Sequence, residues 1–248
     1  MTIRVALAVP CYVDQLRPQA AQATLALLER LGCEVNLAFN APCCGQPMHN
    51  AGAVADARAA ASTWATSSRP FDAIVMPSGS CTHHVRHHLP AIVPGDAAAH
   101  AARVTYELCE FLAGPMAMPR LNGRFPRRVA MHLGCHAQRG LRLGGSSELH
   151  QQPSGAMHDL LVGLEGLTLA SLTRPDECCG FGGSFAIGEA DVSVSMGRDR
   201  LTDATSHEAE VLVSSDPSCL MHLEGVASRN GTRLRTMHIA ELLEEATR

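Results

Sequence analysis

Apolar residues along this chain fall in short β-rich runs separated by longer stretches of helical period. Residues 3–9 form a first apolar strand that ends just before Cys11. A helix fits Pro18 to Leu31, with proline at its start and Gly32 just past its end, the places where each residue is favoured. Val35–Phe39 reads as a second strand, Ala51–Ser68 as an Ala-rich helix and Phe71–Met76 as a third strand. A short helix then carries Thr82 to His88, and one continuous helix is expected from Asp96 to Leu112. Helices alternating with short strands predict a parallel sheet covered on both faces.

Gly114 to Pro126 holds three prolines and two glycines without periodicity, so a linker is placed at 116–125, between a first lobe (1–115) and a second (126–248). The second lobe repeats the first. Arg128–Cys135 answers Arg4–Cys11, Cys178-Cys179-Gly180 answers Cys43-Cys44-Gly45, and Val211–Cys219 answers Ile74–Cys81. Three matched landmarks in one order imply an internal duplication. Further helices are expected from Ala190 to Ser206 and from His238 to Glu245, and Gln138 to Pro153 reads as an inserted loop. The predicted fold class is therefore α/β: two pseudo-repeated lobes, each a small mainly parallel sheet flanked by helices.

Composition narrows the chemistry. Hydrophobic content of 46% and a mean hydropathy of +0.03 describe a globular protein, and no apolar run approaches the roughly 20 residues of a membrane helix. The N-terminus reads as a strand rather than a signal peptide, which makes the cytoplasm the expected compartment. Thiols stay reduced there, so ten cysteines point to metal or redox chemistry instead of a disulfide frame. A net charge of −4 without a basic run argues against nucleic acid. All twenty basic residues are arginine, which excludes a Walker A loop and a lysine Schiff base. No Gly-x-Gly-x-x-Gly follows a strand, so no tightly held nicotinamide or flavin is expected.

Eight cysteines carry the repeat. Cys11 is followed after 31 residues by Cys43-Cys44 and after 36 more by Cys81; Cys135 is followed after 42 by Cys178-Cys179 and after 39 by Cys219. Each falls where a strand ends, and in an open parallel sheet those ends share one edge, where ligands bind. Two metal sites facing the cleft between lobes are therefore expected. His84 and His222 each lie three residues beyond a cysteine, on the same helical face, and are the candidate imidazole donors of the two sets. Four thiolates, with or without histidine, suit zinc or an iron–sulfur cluster. Cys33 and Cys109 lack counterparts and read as core residues.

Histidines cluster at 83, 84, 87 and 88, and His132 and His136 flank Cys135. Such a group can hold a carboxylate, relay protons, bind metal or simply face solvent. His87, His88, His136 and Arg139 are the candidate substrate contacts, with the guanidinium as carboxylate anchor. Met196-Gly197-Arg198-Asp199-Arg200 reads as a solvated charged helix face or as a docking surface.

With Cys-Cys-Gly-Gln-Pro, Pro-Ser-Gly-Ser-Cys, Cys-Cys-Gly-Phe-Gly-Gly and Asp216-Pro-Ser-Cys-Leu-Met-His222 in hand, the chain resembles the cysteine-rich CCG domain family. That family includes the heterodisulfide reductase B subunit and the glycolate oxidase iron–sulfur subunit. Nearly the whole chain is similar to its lactate utilisation protein A group. The resemblance implies an iron–sulfur redox subunit of a complex oxidising L-lactate to pyruvate. It also implies a ferredoxin-like iron–sulfur partner that takes the electrons, and a third lactate-utilisation subunit. It implies one or two clusters, of the 4Fe-4S kind or smaller, with zinc in one site of some members. The heterodisulfide reductase version ends each motif in Cys-x-x-Cys, whereas both halves here end in Cys-x-x-His. That departure speaks against its non-cubane cluster and against thiol–disulfide reduction. A zinc-stabilised assembly subunit without catalysis is the alternative.

Overall fold

The computed structural model describes residues 3–37, 39–41, 43–145 and 153–248. Ala38, Pro42 and residues 146–152, the last within the expected inserted loop, lie outside the described residues.

The first half runs β1 (Arg4–Leu7), α1 (Cys11–Leu16), α2 (Pro18–Arg30), β2 (Glu34–Asn36), α3 (Gln46–Asn50) and α4 (Val54–Ser68). It continues through β3 (Ile74–Met76), α5 (Gly79–His87), α6 (Leu89–Ile92), α7 (Asp96–Val104), β4 (Thr105–Glu107) and α8 (Leu108–Ala113). The second half opens with β5 (Arg128–His132), a π-helical turn (His136–Gly140), α9 (Ala156–Val162) and β6 (Thr168–Leu169). There follow α10 (Phe185–Gly188), α11 (Ala190–Ser206), β7 (Val211–Ser214), α12 (Pro217–Asn230), β8 (Arg235–His238) and α13 (Ile239–Ala246).

Each half builds one four-stranded, all-parallel sheet, ordered β2-β1-β3-β4 in the first and β6-β5-β7-β8 in the second. The identical order is the duplication in three dimensions. It also creates the same switch point twice, between β1 and β3 and between β5 and β7, where chains leave the sheet in opposite directions and open a crevice.

The strand alternation assigns the layers. Val5 and Val75 of one sheet, and Val129, Val211 and Val213 of the other, join one buried cluster with Leu27, Leu28, Phe111, Leu161 and Leu243. Ala6, Ile74 and Met76 point instead to a cluster around Trp64, and Ala130 and Leu212 to one around Leu201 and Leu223. The central cluster draws on both halves, and α2 packs against α13 across it. Arg30 donates to Glu244 at its margin, 3.3 Å away.

Two expectations need correction. The helix expected from Asp96 to Leu112 is broken by β4, because Thr105 and Tyr106 favour the extended pleat. Glu107 then starts a new helix with a capping box, its carboxylate accepting from the Cys109 and Glu110 amides while Glu110 reaches back. The last helix is likewise preceded by an unforeseen strand, β8, and begins with a capping box of His238 and Glu241. The same fourth strand and the same cap occur in both halves, hidden because the two sequences differ.

His238 is wholly buried, and its Nδ1 accepts from the Ala240 amide at 3.2 Å, so the ring must be neutral to cap the helix. Burial pushes its pKa down to about 3 from an ordinary 6.5. The unfolded chain therefore binds a proton that the folded chain refuses, and stability falls as pH drops through that window. At pH 5 this accounts for about 2 kcal/mol. His238→Asn keeps a cap oxygen without the titration. The loss of unfolding free energy between pH 7 and pH 5, read from urea titrations, is expected to shrink by that amount; an unchanged loss would assign the acid sensitivity elsewhere.

Candidate metal centres

In each half the cysteines arrive at the carboxyl edge of the sheet from three strands. Cys11 opens α1 just after β1, Cys43 and Cys44 follow β2, and Cys81 sits in the first turn of α5 after β3. Cys11 and Cys81 thus flank the first switch point, and Cys135 and Cys219 flank the second, after β5 and β7. The side chains converge. Cys11 Sγ lies 3.7 Å from Cys43 Sγ, and Cys43 and Cys44, then Cys44 and Cys81, are hydrogen-bonded neighbours. The order Cys135, Cys178, Cys179, Cys219 repeats that chain of contacts.

The glycine after each pair makes the turn. Gly45 and Gly180 both hold φ near +90°, which residues with a Cβ rarely adopt. Both also face a helix backbone: a Cβ on Gly45 would lie 3.1 Å from Ala57 O, and one on Gly180 would lie 2.5 Å from Ser193 O. Each glycine amide donates to the first sulfur of its pair at 3.4 Å.

These thiols share protons unequally. Cys43 is pushed down to about 2 by hydrogen bonds from Cys11 and Cys44, which rise in turn. Cys178 is held at about 2 in the same way by Cys135 and Cys179. Negative charge is thereby concentrated on the first sulfur of each Cys-Cys pair. None of the ten cysteines is disulfide-bonded. Four sulfurs at a metal–sulfur distance of about 2.3 Å in a tetrahedron are spaced by about 3.8 Å, close to the observed 3.7 Å. The donor chemistry and spacing fit zinc or iron.

Histidine placement separates the sets. His84 is buried, with neither ring nitrogen hydrogen-bonded, and its imidazole acts electrostatically on Cys43. His222, its positional counterpart, directs Nε2 to the Ser193 carbonyl at 3.1 Å. His132, at the end of β5, is the residue that ligand-spacing arguments missed: one ring nitrogen lies within 4.8 Å of both Cys179 and Cys219 sulfurs. Its signal was the His-x-x-Cys spacing at a strand end, without a counterpart in the first half. Burial holds His132 near pKa 3 and His84 near 4, so both are neutral bases at pH 7.

The seam between the halves runs beside these sets. Asp216, the N-cap of α12, accepts from the Ser80 amide at 2.7 Å and from the Tyr12 hydroxyl at 3.3 Å, both in the other half. Tyr12 also bonds Ser78, the N-cap of α5, at 2.6 Å. Imidazoles also cluster across this seam. His83 is 4.9 Å from His87, 5.2 Å from His88 and 5.1 Å from His136 of the second half, centroid to centroid, and His49 touches His84 and His88. His87, His88 and His136 therefore come together. Arg139, on the π-helical turn with His136, is half-exposed and pairs with Asp176 at 3.6 Å.

Cys33 and Cys109 sit in the central core, away from both sets, with Cys33 against Met116. The reading of Met196–Arg200 as a solvated face is corrected at Arg200. That guanidinium is fully buried and donates to the Arg174 carbonyl at 2.6 Å and the Met131 carbonyl at 3.1 Å.

The chain is similar to known proteins over nearly its whole length. The family model for the cysteine-rich domain, CCG, matches residues 5–86 and 129–224, one match per half. Lactate utilization protein A of an Exiguobacterium species is 37% identical over 252 residues, covering 98% of each chain. The proteins of that name from Bacillus velezensis and Bacillus subtilis are 35% and 34% identical over 97% of this chain and 99% of theirs. A hypothetical protein from Helicobacter pylori of known crystal structure shares the fold alone, with a TM-score of 0.59 and 11% identity. This chain is covered to 98% in that match and spans 49% of the other. Two matched segments that each enclose one complete thiol set, with full-length similarity on top, make this chain a member of the cysteine-rich CCG domain family.

Proposed function

We propose that the protein is a metal-holding redox subunit of a system that oxidises L-lactate to pyruvate. The observation that carries this reading is the pair of equivalent four-thiol sets at the two switch points, in a chain whose full-length relatives are named for lactate utilisation. Cys11, Cys43, Cys44 and Cys81, with His84, hold one group; Cys135, Cys178, Cys179 and Cys219 hold the other. An iron–sulfur cluster, when bound, supplies one-electron uptake and release, and a ferredoxin-like subunit together with a third lactate-utilisation subunit completes the path. The chain's own residues do the positioning. Tyr12, Ser78, Ser80 and Asp216 lock the two halves so that the sets keep a constant separation. Ten free thiols support a reducing compartment such as the cytoplasm; among the described residues no helix is long and apolar enough to cross a membrane.

His87, His88 and His136 at the seam, with Arg139 beside them, receive the carboxylate of the 2-hydroxy acid. Removing a charge-assisted hydrogen bond costs roughly 1.5–3 kcal/mol. Arg139→Gln is therefore expected to raise the KM for lactate in the assembled complex by about tenfold or more. Iron content should not change; an unaltered KM would remove Arg139 from the substrate site.

One observation favours a second reading. A sulfur spacing of 3.7 Å suits a single tetrahedral zinc as well as iron, which makes a zinc-stabilised assembly subunit the alternative. Purification without oxygen, followed by iron, sulfide and zinc analysis, separates the two. Brown protein containing iron and sulfide supports the redox reading; colourless protein with stoichiometric zinc replaces it with the assembly role.

A further inference from the structure

The second thiol set has a nitrogen donor on its sheet, His132, where the first set has Ala8. We propose that His132 is a metal ligand of the second site, alongside Cys179 and Cys219, and that the two sites of this duplicated fold are chemically unequal as a result. The proposal rests on the reading that the thiol sets hold metal.

Three observations carry it. The first is position: His132 is the last residue of β5, so the sheet aims it at the same crevice edge as Cys135. The second is the donor atom. His132 is 2% exposed, its Nε2 has no hydrogen-bond partner, and one of its ring nitrogens forms with the two sulfurs a group whose atoms all lie within 4.8 Å of one another. A buried polar atom left without a partner is costly, and a metal ion in this nitrogen–sulfur set would satisfy it. The third is the disposition of the alternative. His222, which the Cys-x-x-His spacing nominates, directs Nε2 to the Ser193 carbonyl.

Comparing the halves sharpens the asymmetry. The residue answering His132 is Ala8, buried and without a donor atom. Counting seven residues on from the helix contact of each motif glycine, Ala57 and Ser193, leads to Trp64 in the first half and Arg200 in the second, both buried. The second site thus has a strand-borne imidazole, where the first has only the helix-borne His84, and beside it the buried Arg200 paired with Asp203.

The test is X-ray absorption at the K-edge of whichever metal, iron or zinc, the oxygen-free protein contains. It is made in a His84→Ala background, so that the imidazole beside the first set does not contribute. Imidazole outer-shell scattering is expected in that background, is expected to persist with His222→Ala, and is expected to vanish with His132→Ala. Should His132→Ala lose metal, the content is expected to fall by about half, and His132→Cys to restore it with a sulfur-only shell. Imidazole scattering that survives the loss of His132, or that is absent from the His84→Ala background, overturns the proposal. Zinc bound through His132 without iron or sulfide would sink the redox reading and leave this assignment standing. Protein free of metal would overturn both.

Discussion

Serine in place of Cys179 is expected to empty the second site and abolish growth on lactate. Cys179 is 3% exposed and touches both Cys178 and Cys219, so its sulfur is the hub of the set. A hydroxyl occupies nearly the same space but is a hard, weakly acidic donor that cannot replace a thiolate toward zinc or iron. Metal content should fall by about half, since the first set shares no sulfur with the second. Cys33→Ser is the matched control: that thiol lies in the central core against Met116, and metal content should stay at the wild-type level. Growth and metal content unchanged by Cys179→Ser would remove these cysteines from the chemistry.

A methyl group at Gly180 should be nearly as damaging, for a different reason. The residue sits at φ +92°, and an added Cβ would meet Ser193 O at 2.5 Å and Met196 Cβ at 2.8 Å. The left-handed backbone costs roughly 1–2 kcal/mol and forced overpacking about 1–3 more. Gly180→Ala is therefore expected to destabilise by about 2–5 kcal/mol, read from urea unfolding. Gly45→Ala meets Ala57 O at 3.1 Å and should cost less, by about 1–2 kcal/mol. Relief of the clash would push α11 away from the turn, and the Gly180 amide would leave the Cys178 sulfur it now bonds at 3.4 Å. Equal effects at the two glycines would mean that the contact with Ser193 yields more easily than its geometry implies.

Much of the fold was legible because duplication writes the same pattern twice. Val5 and Val129 fall at matching places ahead of Cys11 and Cys135, and α11 spans Ala190–Ser206 as its periodicity indicates. The strands β4 and β8 were not legible. Each has only three or four residues and runs directly into a helix, so Thr105–Glu107 was absorbed into the neighbouring helical period. Arg200 was misread because a charged residue in a polar helix resembles a solvated one. Only the fold places the Arg174 and Met131 carbonyls where they can accept from it.

By itself the sequence determined the duplication, the parallel α/β class and the candidate sulfur donors, since spacing, strand ends and the glycine after each cysteine pair are local properties. The tertiary structure decided what stands beside those sulfurs. Along the chain the Cys-x-x-His spacing nominates His222 and passes over His132, yet sheet direction brings His132 to Cys179 and Cys219 while helix packing ties His222 to Ser193. Likewise His136 meets His83, and Asp216 meets Ser80, only because two halves fold against one another. The physical reason is distance along the chain: partners from 29 to 136 residues apart are chosen by packing, which no local pattern encodes.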